Sequence, residues 1–313
     1  MKAETVAGAT AINRYRLAER RLWQIHGLDP AEHSLEIDQP RTSLRLLELG
    51  SGPPVLFLPG SGGTGPYWAP LVRELSAGFR CMMLDRPGWG LSEPIEYGDG
   101  DYWSLVTSVL GGTLDQLGLQ RLDVVGASLG GAWGLRLAQA EPNRVRRVVL
   151  LGGSPTQQIQ VPTFIRLLRS PIGTLLVRLP MRRGMLKKQL IGLGHGPGVE
   201  AGRFDAFFDW RMAFQRETSS MRHERDMVRA IVDGNGFRPG VTFTEGELAG
   251  IAQPVLMLFG TADPTGSVET WRRLTDVLPG GRLQLVNGAG HLLWWDEPAV
   301  VSRHLAAFLD EGT

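Results

Sequence analysis

The chain has 313 residues, of which 42% are hydrophobic and 21% charged, and its formal net charge is +1. These values are ordinary for a globular protein, and the charge balance gives no general attraction to nucleic acid. Cys81 is the one cysteine, which excludes an intramolecular disulfide. The sequence after Met1 lacks the apolar core of a signal peptide, and no apolar run is long enough to span a bilayer. We therefore expect a cytoplasmic protein.

In chain order, the sequence predicts a helix and then apolar strands that alternate with helices. The helix covers residues 12–26 within an N-terminal extension of residues 1–30, and its apolar face is formed by Ile12, Tyr15, Leu22 and Ile25. Predicted strands lie at 34–37, 44–48, 55–58, 82–84, 122–125, 145–151, 255–259 and 283–286. Further helices are predicted at 68–76, 102–117 and 298–309. This alternation indicates a parallel sheet that is covered by helices on both faces.

The alternation of strands and helices stops between residues 154 and 248. Helical segments there are interrupted by prolines, and residues 160–240 contain fourteen Lys and Arg against seven Asp and Glu. We predict that 154–248 is a helical cap over the C-terminal edge of the sheet, and that 1–153 and 249–313 form the core. A basic surplus is usually a solvated face, so contact with a membrane surface is a less favoured alternative.

The stretch from Leu122 to Gly131 has the pattern of a catalytic turn. An apolar run stops at Gly126, Ser128 follows, and Gly130 and Gly131 open a helical pattern. A Gly-x-Ser-x-Gly turn between a strand and a helix exposes the serine hydroxyl for attack on a carbonyl. Unpaired backbone N–H groups at the start of the helix point at the negative charge that forms there.

A nucleophilic serine needs a base, and the base needs a group that orients it. Asp263 and His291 each follow one of the last two predicted strands. Because loops after parallel strands converge at one edge of the sheet, these two side chains are predicted to meet Ser128 there. Asp296 competes with Asp263 for the role of the acid.

Other ligand-binding patterns are absent from the sequence. The remaining histidines have no partner spacing typical of a metal site. The glycine-rich segment 60–65 lacks the Lys-Ser/Thr ending of a phosphate-binding loop. We therefore expect no metal and no cofactor.

Five segments resemble motifs of the α/β-hydrolase superfamily, over roughly residues 44–309. In chain order they are Pro59-Gly60, the segment from Asp85 to Ser92, the turn at Ser128, the segment from Gly260 to Asp263, and Gly290-His291. The resemblance implies an α/β-hydrolase fold, with a mostly parallel eight-stranded sheet covered by helices and a helical cap inserted after the sixth strand.

The resemblance also implies a role for individual residues. Ser128 is the nucleophile, His291 the general base and acid, and Asp263 the carboxylate that orients the base. The oxyanion hole is formed by the backbone N–H groups of Ser61 and Leu129. The family's usual histidine before Gly60 is replaced by Pro59 in this chain, so we expect altered packing of that loop without loss of activity.

Aromatic and apolar residues beside these loops and in the cap predict a largely apolar substrate pocket, which suits an acyl or aryl group and excludes water. The candidates for its walls are Trp68, Trp133, Phe164, Phe207, Trp210, Leu292 and Trp294.

The predicted function is that of a serine hydrolase acting on carboxylic esters of small, largely apolar molecules through an acyl-enzyme. One alternative is a carbon–carbon bond hydrolase of ring-cleavage products, which uses the same three residues. Relatives of that kind often carry an aromatic residue where Leu292 stands. A second alternative is a ligand-binding or signalling protein of the same fold with slow turnover. The sequence indicates no particular oligomeric state.

Overall fold

The computed structural model describes residues 2–98, 101–153, 161, 163–177 and 181–311. Eight strands form one sheet: β1 (Ala31–Asp38), β2 (Arg41–Leu49), β3 (Pro54–Leu58), β4 (Arg80–Leu84), β5 (Leu122–Ala127), β6 (Val145–Leu151), β7 (Val255–Gly260) and β8 (Gly281–Val286). Their order in space is β1-β2-β4-β3-β5-β6-β7-β8. The β1/β2 and β2/β4 pairs are antiparallel, and all other pairs are parallel. The mostly parallel eight-stranded sheet implied by the resemblance is confirmed.

Burial along the strands follows from their place in this sheet. The central strands β5 and β7 are buried at every position, as expected where helices cover both faces. The edge strand β1 buries only Leu35 and Ile37. The hairpin of β1 and β2 is longer than predicted, because its ladder extends to a pair between Ala31 and Glu48.

The helices in the described part of the chain are α1 (Lys2–Ile25), α2 (Ala69–Leu75), α3 (Tyr102–Gln116), α4 (Leu129–Ala140), α5 (Thr163–Arg169), α6 (Pro171–Leu176), α7 (Arg183–Leu190), α8 (Gly196–Glu200), α9 (Asp205–Glu217), α10 (Ser220–Ile231), α11 (Glu245–Ala249), α12 (Val268–Val277), α13 (Leu293–Asp296) and α14 (Pro298–Leu309). None of them combines the length and the apolar content that crossing a bilayer requires. Helices α5–α11 lie between β6 and β7, after the sixth strand. We propose that 154–248 forms the cap, although 154–160, 162 and 178–180 lie outside the described residues.

Helix α1 packs against the core and against α9 through side chains in its middle and its C-terminal part. Tyr15, Leu22 and Trp23 are buried, and the buried Glu19 carboxylate lies 2.8 Å from the guanidinium of Arg45. The predicted apolar face is therefore only half correct. Ile12 and Ile25 are 43% and 64% exposed, and Trp23 completes the buried face instead. Toward the proposed cap, the guanidinium of Arg14 lies 2.6 Å from the carboxylate of Glu217 in α9.

His26, which follows α1, makes the stability of the protein depend on pH. Its ring lies edge-on to Trp295, with 5.7 Å between ring centres. Burial, with a smaller contribution from the charge of Arg73, lowers the pKa of His26 from 6.5 to about 4. As the pH falls from about 6.5 to 4, the unfolded chain takes up a proton that the folded protein does not bind, so the folded state loses stability in this window.

We expect this loss to be about 1 kcal/mol, less than the full pKa shift implies, because the ring is partly exposed and screened by solvent. His26→Gln should lack this component. Urea unfolding of both proteins at pH 7 and pH 4.5 measures it. The same pH dependence in the variant and the wild type would contradict the assignment.

Candidate active site

Ser128 lies in the turn between β5 and α4. Its φ and ψ are 51° and −119°, and it is the only non-glycine residue with positive φ in the described part of the chain. Such a conformation costs about 1–3 kcal/mol and persists where the surrounding structure enforces it. The enforcement is visible at Gly130, where an added Cβ would lie 2.0 Å from the carbonyl oxygen of Leu58. The second glycine of the Gly-x-Ser-x-Gly pattern thus has a steric cause.

Asp263 and His291 form a hydrogen-bonded pair. The loop after β7 places Asp263 Oδ2 2.8 Å from His291 Nδ1. The other carboxylate oxygen, Oδ1, accepts hydrogen bonds from the backbone N–H of Thr265 at 2.9 Å and from its hydroxyl at 2.8 Å. Burial raises the pKa of Asp263, but the charge of His291 and these hydrogen bonds outweigh it, so the pKa lies below its ordinary value. An ionised Asp263 therefore holds the ring with Nδ1 toward itself and leaves Nε2 for proton transfer.

The competing acid, Asp296, has a different partner. Its Oδ2 lies 2.6 Å from Nδ1 of His195 and accepts a hydrogen bond from the backbone N–H of Gly290 at 2.8 Å. The structure thus pairs His291 with Asp263, while Asp296 binds the backbone of the loop just before His291.

One cavity of about 620 Å³ is lined by four of the residues predicted for catalysis and the oxyanion hole. Ser128 and His291 line it, as do Ser61 and Leu129, the two residues predicted to supply the oxyanion hole. Most of the remaining wall is apolar and comes from the proposed cap, including Ile165, Met181, Met185, Leu186, Leu190, Leu193, Phe207, Met227, Val228, Ile231 and Phe237.

The predicted pocket walls need a correction. Phe207 and Leu292 line the cavity, but Trp68, Trp133, Trp210 and Trp294 are fully buried and do not. Their rings have partners within the protein instead. Trp68 stacks on Trp294 with 4.9 Å between ring centres, and the Trp133 N–H donates to the Tyr102 hydroxyl at 2.8 Å. The side chain of Phe164 lies outside the described residues.

Two cations that were not predicted from the sequence line this cavity, Arg211 from α9 and Lys188 from α7. Among the described lining residues there is no carboxylate. Arg211 lies against the loop of Ser61, since a Cβ added at Gly62 would come within 2.4 Å of its Nη2. A sequence signal was available, because Arg211 interrupts the aromatic run between Phe207 and Phe214.

Arg211 carries a charge that is incompletely compensated. Its buried Nη1 has no hydrogen-bond partner among the described residues. Burial lowers the pKa of Arg211 to about 10, against the opposing charge of Glu224. It therefore remains cationic at neutral pH. The buried carboxylate of Glu224 accepts a hydrogen bond from Ser61 and also interacts with the charge of Arg86. Glu224 therefore neutralises the charge of Arg211 only in part.

As for metals, no group of three His, Cys, Asp or Glu side chains in the described ranges is arranged to hold an ion.

The Thr265 hydroxyl supports Asp263 through a hydrogen bond, which a substitution by valine removes while keeping the shape of the side chain. We expect Thr265→Val to lower kcat about 3- to 10-fold, since one hydrogen bond to a charged acceptor is worth about 1 kcal/mol or slightly more. Thr265→Ser, which keeps the hydroxyl, is the matched control. Steady-state kinetics of both variants test this, and equal rates for the two would contradict it.

Comparison with known proteins gives matches in both sequence and structure. A family profile described as alpha/beta hydrolase fold matches residues 53–178, and one described as TAP-like protein matches residues 238–313. The 2-hydroxy-6-oxononadienedioate/2-hydroxy-6-oxononatrienedioate hydrolase of Paraburkholderia phymatum is 30% identical over 274 residues. That match covers 84% of this chain and 90% of the relative.

Two solved structures share the fold at lower sequence identity. Carboxylesterase CesB from Bacillus subtilis has a TM-score of 0.73 at 19% identity, covering 97% of this chain and all of that one. The 2-hydroxy-6-oxo-6-phenylhexa-2,4-dienoate hydrolase of Rhodococcus sp. strain RHA1 has a TM-score of 0.72 at 20% identity, covering 89% of this chain and 98% of that one. With the sheet order, the serine turn and these matches in agreement, the chain belongs to the α/β-hydrolase superfamily and is a hydrolase.

Proposed function

We propose that this hydrolase cleaves a carbon–carbon bond in 2-hydroxy-6-oxodienoic acids, the kind of compound for which its relatives are named. The observation that carries the proposal is the cationic Arg211 in the same cavity as Ser128 and His291. This proposal takes the alternative from the sequence analysis in place of the small-molecule ester.

Charge is the first argument for an acidic substrate. Arg211 and Lys188 line the cavity. In the part of the chain that the structure describes, no carboxylate joins them in the lining, and Nη1 of Arg211 has no partner. A half-buried cation of this kind favours an anionic ligand, because the ligand replaces the hydration that the guanidinium has lost. A small neutral ester has no group that uses this charge. A dienoic acid has a carboxylate for Arg211 and a planar apolar chain for the surrounding wall.

The chemistry follows from the positions of the functional groups in such a substrate. Transfer of a proton from the 2-hydroxyl to C5 gives a 2,6-diketone with a double bond between C3 and C4. Ser128 Oγ then adds to C6 while His291 Nε2 takes its proton, and the oxyanion is stabilised by the N–H groups of Ser61 and Leu129. The bond between C5 and C6 breaks, and its electron pair is delocalised through the double bond to the oxygen on C2.

The two products leave in separate steps. The C1–C5 fragment takes the proton from His291 and leaves as a 2-hydroxydienoate, while C6 remains bound to Ser128 as an ester. His291 then activates a water molecule, which hydrolyses this ester and releases a carboxylic acid. In this scheme Arg211 stabilises the fragment that develops negative charge during bond cleavage. Its cation therefore lowers the barrier to cleavage in addition to binding the substrate.

Ester hydrolysis is a second candidate, supported by the fold shared with a carboxylesterase. It uses Ser128, His291 and the oxyanion hole in the same way, with an alcohol as the leaving group. It does not account for the charge of Arg211.

The decisive experiment compares kcat/KM for 2-hydroxy-6-oxo-6-phenylhexa-2,4-dienoate, 2-hydroxy-6-oxononadienedioate and 4-nitrophenyl butyrate. Loss of the dienolate absorbance and release of 4-nitrophenol report the two reactions. We expect at least one dienoic acid to exceed the ester by about 100-fold or more. A faster ester, with no cleavage of either acid, would reject the proposal in favour of ester hydrolysis.

A further inference from the structure

The helical turn at Ile191–His195, between α7 and α8, lies against both loops that carry the acid and the base. Its Leu193 carbonyl accepts a hydrogen bond from the backbone N–H of His291 at 2.9 Å. Gly194 has a φ of 90°, and a Cβ added there would lie 2.2 Å from the carbonyl oxygen of Ala262, next to Asp263. Since Leu193 also lines the cavity, this turn connects the substrate space to the loop of His291.

His195 makes the second contact to that loop. Its side chain is fully buried, and its Nε2 accepts a hydrogen bond from the backbone N–H of Leu292 at 3.0 Å. An amide N–H only donates, so Nε2 carries no proton and the proton lies on Nδ1. That proton points to Asp296 Oδ2, 2.6 Å away. The carboxylate of Asp296 thus fixes one tautomer of His195, the one that can hold Leu292.

Three consecutive backbone N–H groups around the general base therefore have assigned acceptors. Gly290 donates to Asp296, His291 to Leu193, and Leu292 to His195. Two of these acceptors belong to the turn that precedes α8. The loop is held from the side of the proposed cap, not from β8 alone.

We propose that His195 is a positioning residue for His291: it fixes the backbone after the general base, so that the imidazole stays aligned between Asp263 and the hydroxyl of Ser128. This inference rests on the proposed catalytic roles of Ser128 and His291. It does not depend on whether the substrate is a dienoic acid or an ester. A misplacement of a catalytic group by a fraction of an ångström lowers the rate more than it lowers stability or binding.

Two isosteric substitutions separate positioning from packing. In His195→Gln the side-chain oxygen reaches the place of Nε2 and can accept from Leu292. In His195→Asn the shorter amide reaches the place of Nδ1 and keeps the contact to Asp296, but it leaves the N–H of Leu292 without an acceptor. Both replace the ring by a neutral amide, so a loss of ring packing is common to the two variants.

The primary measurement is the rate at which a fluorophosphonate labels Ser128, because this reaction needs the nucleophile and the base but no natural substrate. We expect His195→Asn to label 10- to 30-fold more slowly than wild type and His195→Gln to stay within about 3-fold. With the substrate that the protein cleaves fastest, kcat should fall in parallel and KM should change less than 3-fold. The control is His26→Asn, which changes a histidine that packs on Trp295. It should label at the wild-type rate.

Equal labelling rates for the Asn and Gln variants would overturn the proposal, as would losses that simply follow the fall in Tm. If His195→Asn fails to fold, Asp296→Asn tests the same contacts. Its neutral amide oxygen can still accept from His195 and Gly290, but without the negative charge it holds the Nδ1–H tautomer of His195 less strongly. We expect 3- to 10-fold slower labelling for that variant, and an unchanged rate would contradict the proposal. Wild-type labelling at Ser128 without cleavage of any dienoic acid would reject the proposed substrate and leave this inference standing.

Discussion

Ser128→Ala is expected to lower kcat by about 10⁵-fold or more and to leave a folded protein. The alanine keeps the backbone of the turn, including the N–H of Leu129, but it removes the atom that forms the covalent bond. Loss of the nucleophile in a serine hydrolase removes nearly all of the rate enhancement that the base and its orienting carboxylate contribute, because the three act as a unit. Residual turnover would come from the oxyanion hole and substrate binding alone.

The controls for this variant address its fold and its chemistry. Circular dichroism and Tm should match wild type within a few degrees, since the substitution removes one oxygen from a cavity wall. Mass spectrometry after incubation with a fluorophosphonate should show one adduct on wild type and none on Ser128→Ala. Ser108→Ala, which changes an exposed serine of α3, should be labelled like wild type. Retained turnover in the Ser128 variant would remove the proposed mechanism.

The serine turn and the two loops could be predicted because they depend on local sequence and on one rule of topology. Gly130 must be glycine, since any Cβ there would collide with Leu58. The loops of Asp263 and His291 follow neighbouring parallel strands, β7 and β8, which pair along their whole length, from the Val255/Gly281 pair to the Gly260/Val286 pair. Short-range steric limits and parallel pairing leave little freedom for where these side chains go.

The positions of the aromatic side chains depend on long-range packing, and the sequence predicts them less well. Trp68 and Trp294 are far apart in the chain, yet they stack on each other in the core. A tryptophan that follows a catalytic loop in sequence can face either a cavity or a neighbouring helix. Which of the two it faces depends on how the helices pack on the sheet. Ile25 is a similar case on α1, where Trp23 takes the buried position.

Arg211 and His195 escaped prediction for a different reason. Each acts on residues of distant loops, Arg211 beside Gly62 and His195 at Leu292. The proposed cap is long and consists of several short helices, so its helices could pack on the core in many different ways that all bury the same apolar residues. The sequence alone therefore does not indicate which of the cap's basic residues faces inward.

Arg211→Met is expected to lower kcat/KM for the preferred dienoic acid by about 100-fold or more. A hydrogen bond to a charged group is worth about 1.5–3 kcal/mol, and the guanidinium can form two with a carboxylate. Methionine replaces the apolar stem of the arginine side chain and removes its charged end. Hydrolysis of 4-nitrophenyl butyrate should change by less than about 5-fold, because a neutral ester makes no use of the cation.

Two matched variants define what the charge contributes. Arg211→Lys keeps a cation but loses the planar pair of donors, so it should recover part of the activity on the acid. Lys188→Met removes the other cation of the described lining, which is exposed to solvent. A screened charge of that kind is worth less than about 1 kcal/mol, and kcat/KM should fall less than 5-fold. An equal loss on acid and ester in Arg211→Met would mean that the arginine supports the shape of the site, whereas a loss confined to the acid identifies the carboxylate as its ligand.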